Sequence, residues 1–225
     1  AVIRDAQESR GLGDVYKRQV DIDDNEQNEK LRDIWINYKN FIFIGLGLLL
    51  VIYFGFTFLA NQETKRNEIA SQLYQEILIE KIENLENIQL KTNSLKKDHL
   101  DTPYAGRASL HLGQLLAKSN KYEESINELK WASDKAKEVS IQSLARYTLA
   151  LTYIAIKDYK NAKIAAESIA SNGFNALKMD LMGDIYLLEG NVDRAKESFT
   201  IALEFYKDKN ELAQVIQSKI DALGK

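Results

Sequence analysis

From Ala105 onward the sequence repeats itself, and that periodicity constrains the fold more than any single residue does. Leu112-Gly113, Leu149-Ala150 and Met182-Gly183 each set a small residue behind a large one, at intervals of 37 and 33 positions. Leu116, Tyr153 and Tyr186 follow in step, then Tyr122, Tyr159 and Val192, then Ser125, Ala162 and Ala195. Leu129, Ala166 and Phe199 continue the register, and Ala132, Ile169 and Ala202 close it. Each period also carries one polar turn: Ser119-Asn120-Lys121, Lys157-Asp158 or Glu189-Gly190-Asn191. A period of this length, split once by a turn, predicts a pair of helices that must stack on its neighbours to bury a core. A non-repeating helical bundle is the alternative. One proline in 225 residues, with abundant Leu, Ile, Ala, Glu and Lys, favours helix in either case.

Each repeated position has a steric reason. Gly113, Ala150 and Gly183 let the first helix of a unit approach its second, and Ser125, Ala162 and Ala195 do the same from the other side. The pattern resembles the tetratricopeptide repeat, whose units read large-x-x-Leu-Gly-x-x-Tyr, then Ala, Phe and Ala. The resemblance implies an all-α solenoid of about three to four helix pairs with a concave surface lined by the first helices. That lining would be Arg107, Leu110, Gln114 and Lys118, then Leu144, Tyr147, Leu151 and Ile154, then Leu177, Asp180, Asp184 and Leu187. Its middle is apolar and suits extended or helical hydrophobic segments. Repeat proteins that clamp a C-terminal carboxylate set Lys, Asn and Arg at these places; only Arg107 and Gln114 could serve here, so no such clamp is expected. The chain's own C-terminal helix or flank is the competing occupant. Ile69, Leu73 and Ile77 mark a helix ahead of the repeats, and a weaker one around 88–95 could pair with it. Leu212, Val215, Ile216, Ile220 and Leu223 form the stripe of a last, capping helix.

The second constraint is the uncharged run from Phe41 to Ala60. As a helix rising about 1.5 Å per residue it matches a hydrocarbon core of roughly 30 Å. Trp35 and Tyr38 sit where an interfacial aromatic belt would lie. A buried core helix rarely runs so long without a polar residue, and a cleavable signal has a shorter apolar region; Phe58 also occupies a place where cleavage after Ala60 needs a small side chain. Lys30, Arg32 and Lys39 before the run, against Lys65 and Arg66 after it, lean slightly toward a cytoplasmic N-terminus. Gly45, Gly47 and Gly55 form no G-x-x-x-G pair. Leu31, Ile34, Trp35 and Tyr38 share one helical face, either an amphipathic helix against headgroups or a partner, or an extension of the membrane helix.

Composition narrows the chemistry. A net charge of −3 with no basic stripe argues against nucleic acid. Without cysteine there is no disulfide, thiol nucleophile or thiolate zinc site. His99 and His111 form no metal motif; His111 falls among packing residues and His99 at a helix end. Asp180 and Asp184 lie one turn apart, a spacing that acid–base catalysis could use, though no neighbouring base is evident. No cofactor and no enzymatic activity are expected.

The chain opens on Ala1, and Asp14-Val15-Tyr16-Lys17-Arg18-Gln19 reads as the translation of GAT-GTG-TAT-AAG-AGA-CAG, a transposon end used to fragment DNA for sequencing. Residues 1–19 are therefore expected to be a remnant of that kind, with an ordinary polar tail as the alternative. The expected organisation is a short cytoplasmic segment over 20–40, a span over 41–60, and the repeat domain over 61–225.

From residue 20 the layout is similar to the bacterial ancillary subunits of the Sec translocon. The likeness rests on Asp24-Asn-Glu-Gln-Asn-Glu-Lys-Leu-Arg32, Thr102-Pro-Tyr-Ala-Gly-Arg-Ala-Ser-Leu110, Gly173-Phe-Asn-Ala176 with Asp180-Leu-Met-Gly-Asp184, and Lys219-Ile-Asp-Ala-Leu223. It implies a single-pass inner-membrane protein with its N-terminus in the cytoplasm and its repeat domain in the periplasm. The implied partners are the Sec translocon, a membrane-anchored periplasmic isomerase-like chaperone and exported polypeptides. It also implies, as the alternative function, a tether that sequesters an envelope-stress signalling protein through residues 25–39.

Overall fold

A computed structural model describes the backbone of residues 2–206 and 210–224, and the side chains of residues 29–206 and 211–224. The segment 1–19, expected to be a remnant, lies outside the residues whose side chains are described. Among the described residues the regular structure is helical: α1 Val2–Ile79, α2 Leu85–Asp98, α3 Pro103–Lys118, α4 Tyr122–Lys135, α5 Val139–Ala155, α6 Tyr159–Glu167, α7 Asn175–Leu188, α8 Val192–Phe205 and α9 Asn210–Ala222. Two single 3-10 turns, Ile82–Asn84 and Asn172–Phe174, precede α2 and α7. The chain divides into two compact units, 1–62 and 63–225.

In the first unit the apolar run belongs to a helix whose 18-residue window reaches a mean hydropathy of 2.5 and is 0% buried. Length, composition and full exposure together fit a single membrane span. The Thr57 hydroxyl in this run is satisfied internally, donating to the carbonyls of Tyr53 and Phe54 at 2.9 and 3.0 Å, as lipid favours for a polar group. Leu31, Ile34, Trp35 and Tyr38 belong to the same uninterrupted helix, so the stripe they form extends it rather than making a separate one.

The second unit is a stack of helix pairs: the end of α1 with α2, then α3/α4, α5/α6 and α7/α8, closed by α9. The expected pair ahead of the repeats exists, with Ile77, Ile88 and Leu95 fully buried against Leu112 and Leu116 of α3. On α1 it is Ala70, not Ile69, that enters this core; Ile69 stays half exposed. At the other end Ile216 of α9 is buried against Phe199 and Ala202, while Leu212 and Val215 of the expected stripe face out.

The three polar turns are one structure made three times. Asn120, Lys157 and Gly190 all have positive φ, at 58°, 63° and 80°. In each, the next residue's N–H reaches back five residues: Lys121 to Leu116 at 2.9 Å, Asp158 to Tyr153 at 2.9 Å, Asn191 to Tyr186 at 2.8 Å. The turn residue itself donates three residues back, to Ala117, Ile154 and Leu187. This paired pattern is the Schellman stop, and it ends the first helix of every unit at the same register. Only Gly190 adopts that conformation without steric cost.

Close approach within each unit is set by complementary pairs. A Cβ on Gly113 would lie 2.7 Å from Leu129, and one on Gly183 would enter the ring of Phe199. Ser125 ties the first of these crossings by donating to the Gly113 carbonyl at 2.7 Å. In the middle unit, where position 150 carries a methyl, the residue equivalent to Leu129 and Phe199 is only Ala166. Glycine faces a large side chain and alanine a small one, so volume across the crossing is conserved.

A candidate protein-binding groove

The first helices of neighbouring units leave an open groove of about 530 Å³ between α3 and α5. Gln114, Ala117 and Lys118 line one wall, Leu144, Tyr147, Leu151 and Ala155 the other, and Tyr122 of α4 joins the lining. Thr148 and Thr152 also line it, but their hydroxyls donate to the Leu144 and Thr148 carbonyls one turn back, at 2.9 Å each. Their only donors are thus spent within α5, leaving acceptor lone pairs alone on a wall that is otherwise largely apolar. Leu151 is 41% exposed at the surface of this groove. The lining carries no carboxylate and no histidine; its titratable side chains are Lys118, Tyr122 and Tyr147.

The expected lining residues divide by location. Gln114, Lys118, Leu144, Tyr147 and Leu151 come together in the groove. Leu110 is buried in the core, and Ile154 packs against it from a half-buried position. Arg107 turns away into a two-pronged pair with Glu138, the residue just ahead of α5, at 2.7 and 2.6 Å, which occupies the guanidinium. That pairing lowers the Glu138 carboxyl below its usual range, chiefly through the hydrogen bonds from Arg107. Leu177 lines a separate recess with Phe174, Phe205 and Leu212, and Leu187 is simply exposed. Ala117, Tyr122, Thr148, Thr152 and Ala155 were not expected. The signal for Thr148 and Ala155 was present, since they stand four and eleven positions after Leu144 on the same helical face.

Asp180 and Asp184 are brought together by a residue far along the chain. Lys219 of α9 donates to Asp180 at 2.6 Å and to both oxygens of Asp184 at 2.8 and 2.9 Å, and its ammonium stands 5.0 Å from the Phe199 ring. The two carboxylates hold α9 against α7 and are engaged by a cation. Two anions share one ammonium, so the Asp184 carboxyl is pushed above its usual range by burial, with repulsion from Asp180 adding to it. Burial alone would lower Lys219, but the hydrogen bonds it donates to both carboxylates outweigh that and raise it. Tyr147 is raised by burial first and by these two aspartates second. Lys219→Met should therefore destabilise the second unit by about 1–2 kcal/mol, between an exposed and a buried pair. Because Asp184 has a raised folded pKa, the deficit should shrink as pH falls through the window above the ordinary 3.8. Denaturation of both proteins at neutral and mildly acidic pH checks this; a deficit that widens on acidification would contradict it.

His111 lies half-buried on α3, held below its usual range by burial and then by Lys118, and His99 is the residue at which α2 stops. Among the described residues no group of three or more His, Cys, Asp or Glu side chains could hold a metal ion.

Comparison with known proteins agrees with this architecture. The chain is 23% identical to an ancillary SecYEG translocon subunit of Neisseria gonorrhoeae over 205 residues, covering 90% of this chain and 98% of that one. A protein of the same description from Aggregatibacter actinomycetemcomitans is 21% identical over 183 residues, covering 81% and 90%. Among solved structures, the MamA RS-1 ArsTM double mutant superposes with a TM-score of 0.47 at 17% identity, covering 71% of this chain and 94% of that one. The family profile of the tetratricopeptide repeat-like domain matches residues 32–225. With its three Schellman-stopped units, its capping helix and a profile match over most of its length, the chain belongs to the tetratricopeptide repeat-like domain family.

Proposed function

We propose that this protein is a non-enzymatic scaffold of the bacterial inner membrane, an ancillary subunit of the Sec translocon that holds other proteins in its repeat domain. The observation that carries the proposal is the open groove between α3 and α5, apolar along Leu144, Tyr147 and Leu151 and unfilled by α9. The homology to ancillary SecYEG translocon subunits supports the translocon as the membrane partner. In this reading residues 20–40 are cytoplasmic, 41–60 cross the membrane and 61–225 lie in the periplasm, where the groove takes apolar segments of exported chains or of a membrane-anchored isomerase-like chaperone. An apolar wall with a polar edge at Gln114 and Lys118 suits a hydrophobic segment laid along α5.

A photoreactive residue in place of Tyr147 or Leu151, in the full chain in its own membrane, tests this directly. Crosslinks to translocon subunits, exported chains or the chaperone are expected, with a reporter fused after Lys225 active only in the periplasm. Recovery of none of these partners would overturn the proposal.

A further inference from the structure

The repeat unit has two edges, and the chain enters it at one of them. Arg66 of α1 pairs with Asp101 in the loop between α2 and α3. These two residues, with Lys97, Leu100, Lys135 and Lys137, border a recess of about 600 Å³. The α2–α3 and α4–α5 loops are therefore at the edge where the chain arrives. The Schellman turns are at the other edge: Lys121 and Lys135 stand at opposite ends of the 14-residue α4, about 21 Å apart along its axis, and Val139 opens α5 just past the Lys135 end.

Covalent connection alone keeps the entry edge close to lipid. Arg66 follows Ala60, the last residue of the apolar run, by six positions. Six residues reach about 9 Å as helix and no more than about 22 Å fully extended, and the headgroup layer itself is roughly 5–8 Å thick on each side. The chemistry of the edge matches that layer. Lys97, Lys135 and Lys137 are exposed and none forms an ion pair among the described residues. Asp98 and Asp134 stand between them, and Leu100 and Val139, 47% and 57% exposed, offer apolar side chains beside the cations.

We infer that this loop edge is a membrane-contact surface, on which Lys97, Lys135 and Lys137 engage the phosphates of phospholipid headgroups while Leu100 and Val139 dip among them. The contact positions the repeat unit with its loop edge toward the bilayer and its Schellman turns away from it. It rests on the apolar run being inserted in lipid, and is independent of any protein partner.

The cysteine-free sequence allows single fluorophores to be placed in the full chain, reconstituted into phosphatidylglycerol-containing vesicles whose headgroups carry a quencher. A label at Gln62→Cys reports the anchor alone and should be quenched whether or not the edge binds. A label at Val139→Cys should be quenched strongly and one at Lys121→Cys little. Reversing Lys135→Glu and Lys137→Glu should release the Val139 position, since each cation near an anionic surface shifts the contact by roughly fivefold. Pure phosphatidylcholine vesicles should weaken it likewise, whereas added inorganic phosphate should not displace it. Equal quenching at Lys121 and Val139, or quenching at Val139 that ignores charge reversal, would overturn the inference. An anchor label that is itself unquenched would instead refute insertion of the apolar run.

Discussion

Glu128→Ala should cost about 3 kcal/mol, the low end of what breaking a buried ion pair costs, and lower the melting temperature by roughly 6–12 °C. Both carboxylate oxygens of Glu128 on α4 accept from the Lys96 ammonium on α2, at 2.9 and 2.8 Å, and Oε2 accepts a third bond from Ser109 on α3 at 2.6 Å. The two charged side chains are 17% and 12% exposed, so water solvates neither well. Removing the carboxylate strands an ammonium beside Trp131, whose ring lies 4.7 Å from it, and leaves the Ser109 hydroxyl with only the Glu128 carbonyl, at 3.0 Å. Replacing both partners, Lys96→Met with Glu128→Leu, should restore most of the loss, because the penalty lies in the unpaired charge rather than in the missing attraction. Thermal unfolding of the parent protein, Glu128→Ala and the Lys96→Met/Glu128→Leu double variant measures it. A loss below about 1 kcal/mol for Glu128→Ala would mean the pair behaves as an exposed one.

Gly183→Ala should destabilise by about 2 kcal/mol, although alanine gains nearly 1 kcal/mol of helix propensity over glycine. The added methyl would enter the ring of Phe199, and that ring is 0% exposed with no room to swing aside. Phe199→Ala alone should cost about 3–5 kcal/mol by leaving a cavity. The double variant copies the Ala150 and Ala166 pair of the middle unit and should be less destabilised than the sum of the two. Denaturant unfolding of the set tests this; strict additivity would show that the two positions do not share the space between α7 and α8.

Much of this fold is legible in the sequence because its determinants are local and recur. Three turns at one register announce three helix stops, and small residues in step with large ones announce three crossings. The structure adds why the middle unit breaks the pattern without breaking the fold: Ala150 departs from glycine where Ala166 departs from a large residue. Gly106 was legible only as part of a resembling segment, since its reason is distant. A Cβ there would lie 2.5 Å from that of Ala136, at the far end of α4.

The groove was half legible. Helical spacing locates Leu144, Tyr147 and Leu151 on one face, but it cannot say that Leu110 sinks into the core while Leu151 remains open, because that depends on how far neighbouring units splay. Charges were the hardest to place. Arg107 and Glu138 lie 31 positions apart, and Lys219 lies 39 and 35 positions from its two aspartates. Polar partners so far apart leave no periodic trace, and a free cation and a paired one look alike in sequence.

The complementary pairs inside each unit also bear on how such a chain can diversify. A unit exchanged whole brings its own matched residues and disturbs only its outer faces. A recombination that joined the first helix of the middle unit to the second helix of the last would set Ala150 against Phe199, two halves that do not fit. Viable chimaeras of this domain should therefore have their junctions in the loops between units and not in the Schellman turns within them.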